Sequence, residues 1–238
     1  MAVEIRRPRE AARQDPPRRP DVTESPPKQN PGRFVVVEGP DGGGKTTQAA
    51  RLVAWLRSLG REVVACREPG GTALGERLRS IVLERSSIAI GMRAEMLLYM
   101  ASRAQLVEEV IRPALGRGAV VVSDRFLLSN VVYQGYAGGL DVADLWRVGL
   151  TATGGLLPDL TLLIDVPPDV AKARIGPGRD RIEDRGDDYR ERVRDGFLAA
   201  SRDYPAPIAV VDGSADPDSV LIRLQSEVSR ALALPPRP

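Results

Sequence analysis

Residues 39–46 of this 238-residue chain read Gly39-Pro40-Asp41-Gly42-Gly43-Gly44-Lys45-Thr46, which fits G-x-x-x-x-G-K-[ST] at every fixed position. These residue types at this spacing suit one task, the cradling of a polyphosphate. Glycines let successive backbone N–H groups turn inward as an anion nest. The start of a following helix adds partial positive charge. Lys45 can reach the β- and γ-phosphates as a mobile point charge, and the Thr46 hydroxyl can ligate Mg²⁺. The expectation is a site for ATP or GTP lined by the whole loop.

A second constellation is Asp124-Arg125-Phe126, directly after the β-branched run at 119–123. An aspartate at a strand end beside the phosphate loop is suited to holding Mg²⁺ through water or to orienting an acceptor. Arg125 can grip an acceptor phosphate in a bidentate fork. The plainer alternative is a surface salt bridge. A third constellation is the set Arg174, Arg179, Arg181 and Arg185 around Gly176-Pro177-Gly178. A Gly/Pro hinge bearing cations resembles a lid, expected at about 174–185, that would bring charge to a transferring phosphoryl group. Here too a solvated run laced with Asp180, Glu183 and Asp184 is the alternative. The chain has no histidine, so any base or metal ligand must be a carboxylate, hydroxyl, amine or water. Neither the N-K-x-D or T-K-x-D base-reading segment of GTPases nor the serine-glycine-glycine signature of ABC-type ATPases occurs.

Apolar runs alternating with amphipathic stretches must position these residues. The pattern predicts strands at 34–37, 63–66, 119–123, 160–164 and 208–211. It predicts helices from the phosphate loop to about Leu59 with Gly60 closing it, at about 72–84, at 92–115 with a late interruption at Pro113, and near 141–152. Further helices are expected from Pro168, over 183–203 and over 217–232. Five strands alternating with helices imply an α/β fold with a parallel sheet covered on both faces, and ligands at the carboxyl ends of the strands.

Residues 1–32 carry seven basic side chains (Arg6, Arg7, Arg9, Arg13, Arg18, Arg19, Lys28) against five acidic ones (Glu4, Glu10, Asp15, Asp21, Glu24), together with seven prolines. Such a segment cannot bury enough surface to offset its ordering entropy, so 1–32 reads as a disordered Pro/Arg-rich tail and 33–238 as the folded domain. A basic docking arm is the sharper alternative for the tail. The rest of the chain has equal numbers of acidic and basic residues. That argues against nonspecific nucleic-acid binding, which needs a basic field. One cysteine, Cys66, permits no intrachain disulfide. No apolar run is long enough to span a bilayer, and the Arg-rich start has no apolar signal core. A cytoplasmic location is the expectation.

The segments 38–47 (EGPDGGGKTT), 67–72 (REPGGT), 97–103 (LLYMASR), 124–134 (DRFLLSNVVYQ), 158–167 (PDLTLLIDVP) and 180–183 (DRIE) together resemble the thymidylate kinase (dTMP kinase) family over roughly 33–232. The resemblance implies a P-loop NTPase fold with a short lid, and phosphorylation of dTMP to dTDP by ATP and Mg²⁺ in dTTP biosynthesis. It implies that Asp41 faces the sugar 3′-hydroxyl and that Arg67 borders the dTMP site. Tyr99 would stack on thymine, Arg103 would read the pyrimidine edge, and Arg125 would hold the dTMP phosphate with Asp124 near Mg²⁺. Gln134, with Ser129 and Asn130, would belong to the base-contacting segment. Gly42 in the loop places the chain with members that supply a catalytic arginine from the lid, where Arg179 and Arg181 are favoured. The family forms homodimers, and helix 92–115 could present an apolar face. Tyr99 departs from the usual Phe, and Asn130 and Val132 from smaller residues. A kinase for another nucleotide or nucleoside, or a weakly catalytic ATP-binding module whose basic tail recruits a partner, are the competing readings at this point.

Overall fold

The computed structural model describes residues 32–84, 88–175 and 185–233. Most of the expected tail, the Gly/Pro break with Arg179 and Arg181, and the segment 180–183 lie outside the described residues. Five parallel strands, β1 (Arg33–Glu38), β2 (Val63–Arg67), β3 (Val120–Asp124), β4 (Leu160–Asp165) and β5 (Ile208–Asp212), form one sheet in the order β2-β3-β1-β4-β5. This is the α/β architecture expected.

Alternation along β1 explains why its run is continuously apolar. Val35 and Val37 face one cluster, completed by Leu52 and Leu56 of α1 (Lys45–Ser58) and by Leu224 and Val228 of α9 (Pro217–Ala231). Phe34 and Val36 face the other, with Leu106 of α3 (Met92–Leu106) and Leu145 of α6 (Val142–Thr153). A parallel strand covered on both faces has no polar side. Between these elements run α2 (Ala73–Leu83), α7 (Pro168–Arg174) and α8 (Asp187–Arg202). Local caps bound several helices as the sequence suggests. The side chains of Thr72, Asp141 and Asp216 accept backbone N–H groups at the starts of α2, α6 and α9, which satisfies donors that a helix start leaves unpaired.

Two expectations change. The helix predicted over 92–115 is not one α-helix. Beyond α3 the rod passes through a π-helical turn at Val107–Ile111 into α4 (Arg112–Gly116), where Pro113 stands in the first turn. Proline has no N–H to give the preceding turn and its ring would strike the carbonyl four residues back. The rod therefore widens ahead of Pro113 rather than stopping at it. Second, no helix is expected over 127–136, yet α5 (Leu127–Asn130) continues into a π-helical turn at Val131–Tyr136. Residues 127–135 are all buried, so the stretch shows no amphipathic stripe. Its start also has no side-chain cap of its own.

Candidate active site

Register brings the two motifs together. Val37 pairs with Asp124 across β1 and β3, so the loop after β1 and the carboxylate ending β3 meet at the carboxyl end of the sheet. Gly44 adopts φ 86 and starts α1 without a side-chain cap. The first N–H groups of α1 are thereby left for an anion. At Gly42, with φ +77, an added Cβ would meet the Ala171 carbonyl oxygen at 2.1 Å. The backbone therefore has no room for an arginine in the loop at this position.

Lys45 lies back across the loop, its Nζ donating to the Pro40 carbonyl at 2.7 Å. Burial lowers its pKa to about 8, and the nearby Arg125 adds to this against the pull of Asp41, Asp124 and Glu38. Thr46 Oγ1 donates to Asp124 Oδ2 at 2.6 Å. Asp124 Oδ1 is buried with no hydrogen-bond partner. A hydroxyl and a carboxylate with an unsatisfied oxygen, at the mouth of an anion nest, form a hard-oxygen donor set suited to Mg²⁺. Among the described residues no cluster of three or more acidic, cysteine or histidine side chains could hold a metal alone. A site sharing its ion with ligand phosphates and water needs no such cluster.

Arg125 faces this loop from φ 73, a left-handed conformation rare for a side-chain-bearing residue. Bonds on both sides hold it there: its N–H donates to Val37 O at 2.9 Å, and its carbonyl accepts from Ser123 Oγ at 2.7 Å. The guanidinium donates to Gly39 O at 3.1 Å and Ser129 Oγ at 2.9 Å, and pairs with Asp41. The Tyr133 hydroxyl donates to the other Asp41 oxygen at 2.8 Å. Burial raises the Asp41 carboxyl, but Arg125 and Lys45 outweigh it and hold Asp41 below its ordinary value. Behind Arg125, Glu38 accepts from Phe126 N at 2.8 Å, Ser129 N at 3.1 Å and Ser129 Oγ at 2.5 Å. Ser129 thus belongs to the Arg125 end, apart from the segment that Asn130 and Gln134 join.

That segment is a buried relay. Arg103, 1% exposed, directs Nε at 2.8 Å and Nη2 at 2.6 Å onto one oxygen of Glu68. Nη2 also donates to Phe126 O at 3.1 Å, and Nη1 to Asn130 Oδ1 at 2.8 Å and Met100 Sδ at 3.1 Å. A thioether is a weak acceptor, so this last contact is the one a ligand carbonyl can replace. Burial raises Glu68 to about 7 despite Arg103. Asn130 Nδ2 donates to Gln134 Oε1 at 2.6 Å, and Gln134 Nε2 to Glu95 Oε1 at 2.8 Å. Arg103 and Gln134 are therefore both interior residues of the fold.

Residues 41–46, Asp124, Arg125 and Ser129 border one continuous cleft of about 910 Å³. The half-buried Tyr99 lines its far end with Arg67, Arg103, Asn130 and Gln134. Tyr99 and Arg103, four residues apart on α3, share this face as their spacing requires. Gly39 and Pro40 contribute inward carbonyls rather than cleft wall. The opposite end is bounded by Arg174, whose Nη1 donates to Gly213 O at 2.9 Å, and by the loop 213–217. Sequence reasoning passed over Glu38, Glu68, Glu95 and Tyr133. The first two adjoin Gly39 and Arg67 inside the quoted motifs, and Tyr133 lies within the stretch 124–134. Nothing local marks Glu95.

A sequence model of a family described as thymidylate kinase matches residues 37–221. The chain is 47% identical over 202 residues to a thymidylate kinase of Leifsonia xyli subsp. xyli, covering 84% of this chain and 95% of that one. It is 50% identical over 184 residues to a thymidylate kinase of Clavibacter sepedonicus, covering 76% and 87%. With a thymidylate kinase of Rhodopirellula baltica it shares 43% identity over 190 residues, covering 80% and 77%.

Proposed function

This chain belongs to the thymidylate kinase family, and from that premise we propose that it phosphorylates dTMP to dTDP with ATP as donor, a step of dTTP biosynthesis. The observation that carries the reading is one cleft lined by both Lys45 and Arg125, each close enough to Asp41 to lower its carboxyl. One cation is suited to the donor's β- and γ-phosphates and the other to the acceptor's phosphate. The donor lies with its phosphates on residues 39–46 and its base toward Arg174 and the loop 213–217. The acceptor lies with its phosphate on Arg125 and its base between Tyr99 and the Arg103–Asn130–Gln134 relay. Asp41 and Tyr133 stand between the two ends, where the sugar would pass, and Arg67 closes the border.

Thr46 and Asp124 would hold Mg²⁺, which supplies charge neutralisation for the phosphates. The attacking phosphate oxygen is already anionic, so the missing histidine is no obstacle. Catalysis is positioning plus charge stabilisation. Arg179 and Arg181 remain our choices for further cations at the transferring group. We also propose a homodimer. Ile81 of α2, Leu97 of α3 and Leu150 of α6 are exposed apolar side chains, and α3 packs against both other helices. No described helix is long and apolar enough to cross a membrane, and a cytoplasmic location is part of the proposal.

The test is ADP release with ATP and Mg²⁺ against a panel of nucleoside monophosphates. The expected result is turnover that depends on the acceptor and is fastest with dTMP. A different preferred acceptor, or no turnover by protein that binds ATP, would overturn the assignment.

A further inference from the structure

Two side chains that do not line the cleft tie its acceptor end together. Glu95 is fully buried on α3. Its Oε1 accepts from Gln134 Nε2 at 2.8 Å and its Oε2 from Arg185 Nη2 at 2.5 Å. Arg185, just ahead of α8, donates through Nη1 to the Tyr189 hydroxyl at 2.8 Å. That hydroxyl donates to the Tyr133 carbonyl at 2.7 Å. The guanidinium also lies 5.0 Å from the Tyr189 ring centre.

The charged ends set the direction of the relay. A guanidinium only donates and a carboxylate only accepts. Arg103 therefore requires the Asn130 oxygen, and Glu95 requires the Gln134 amino group. The two amides are left with one arrangement, the observed Asn130 Nδ2 to Gln134 Oε1 bond at 2.6 Å. Reversing either amide would set donor against donor or acceptor against acceptor. The arrangement lasts only while Glu95 is purely an acceptor. Taking a cation from a buried carboxylate weakens its hold and lets water compete for it, and a Glu95 side chain that turns toward water would release both amides. Arg185 supplies a cation directly to Glu95 Oε2.

We infer that Arg185 is a positioning residue for the acceptor base. Through Glu95 it fixes the orientation of Gln134 and Asn130, and through Tyr189 it braces the backbone of Tyr133, whose hydroxyl meets Asp41 at the phosphate end. The inference rests on the reading of this end of the cleft as the dTMP base site. It assigns a role in acceptor recognition to a side chain that does not line the cleft.

The experiment is calorimetric titration of the full-length chain with dTMP, and separately with a non-hydrolysable ATP analogue. Melting temperatures are recorded alongside for wild type, Arg185→Met, Arg185→Lys and the double variant Glu95→Gln with Arg185→Met. Arg185→Met should weaken dTMP about tenfold while leaving the ATP analogue within about twofold, as expected for loss of one buried charge partner serving one ligand. Arg185→Lys, which keeps the charge but not the fork, should fall between. The double variant should recover most of the dTMP affinity, because a neutral amide at 95 needs no cation. Unchanged dTMP binding in Arg185→Met, an equal loss for both ligands, or a deeper loss in the double variant would overturn the inference. Should Arg185→Met fail to fold, the lysine and double variants carry the same comparison. If the wild type itself binds no dTMP, the assignment of the cleft fails and this inference falls with it. Wild-type binding with an unaffected Arg185→Met removes the inference alone.

Discussion

Lys45 lies under two opposing influences. Burial holds its pKa near 8, below its ordinary 10.5. Between those values the unfolded chain binds a proton that the native chain does not, so this residue's contribution to stability rises as pH rises through that window. Below about pH 8 the fold carries the cost of a buried cation. A bound polyphosphate reverses the balance by favouring the charged amine. Binding of an ATP analogue at pH 8 should therefore take up about half a proton, and much less at pH 6.5. Titrations in buffers of different ionisation enthalpy measure this directly, and a binding heat independent of buffer at pH 8 would contradict it. Lys45→Ala should abolish the uptake and lower turnover about 10²- to 10⁴-fold without lowering the melting temperature. Near-wild-type turnover would remove Lys45 from the mechanism. The chemistry of this residue was legible in its motif, but its depressed pKa was not. The depression comes first from burial in the folded loop, and Arg125, brought close by strand pairing, adds to it.

At the scale of elements, the instructive case is α5. Its start has no local cap, and the acceptor that satisfies its N–H groups is Glu38, 88 residues before Phe126 in the chain. Glu38 stands at the carboxyl end of β1 beside Arg125, whose left-handed backbone at φ 73 costs about 1 kcal/mol and must be held by its surroundings. Burial keeps the Glu38 carboxyl above its ordinary value, against Arg125 and the Ser129 bonds. Glu38→Ala should leave the Phe126 and Ser129 N–H groups unsatisfied and cost about 2 kcal/mol or more in denaturant unfolding. It should also raise the KM for dTMP more than that for ATP, since Arg125 and Ser129 lose their shared anchor. Equal effects on both substrates would show that Glu38 serves the fold alone. Strands β1 to β5 and the capped helices were readable from periodicity and end signals, because those signals are local. The helical run 127–136 was not, because its cap comes from another strand and its burial on every side removes the amphipathic stripe.

At the scale of the whole molecule, α2, α3 and α6 each expose a large apolar side chain on neighbouring helices, with Leu97 54% exposed and Ile81 51%. Isolated exposed apolar residues are ordinary, but three on helices that pack side by side offer an apolar face for a partner. A second copy of the chain is the partner proposed. Sedimentation at micromolar concentration should show a two-chain species, and Leu97→Asp should shift it toward the single chain. A wild-type protein that sediments as one chain would remove the dimer. Residues 1–31, read from composition as unable to build a core, lie outside the described residues and take no part in this argument.

The sequence by itself determined the phosphate cradle, the parallel α/β order and the family. These rest on short motifs and on periodicities that neighbouring residues impose on one another. Tertiary structure decided how the acceptor end is built. It set Ser129 against Glu38 and Arg125, buried Arg103 with Glu68, and joined Asn130, Gln134, Glu95 and Arg185 into one directed relay. Those partners come from separate elements, and a buried charge takes its meaning from whichever opposite charge the fold places beside it.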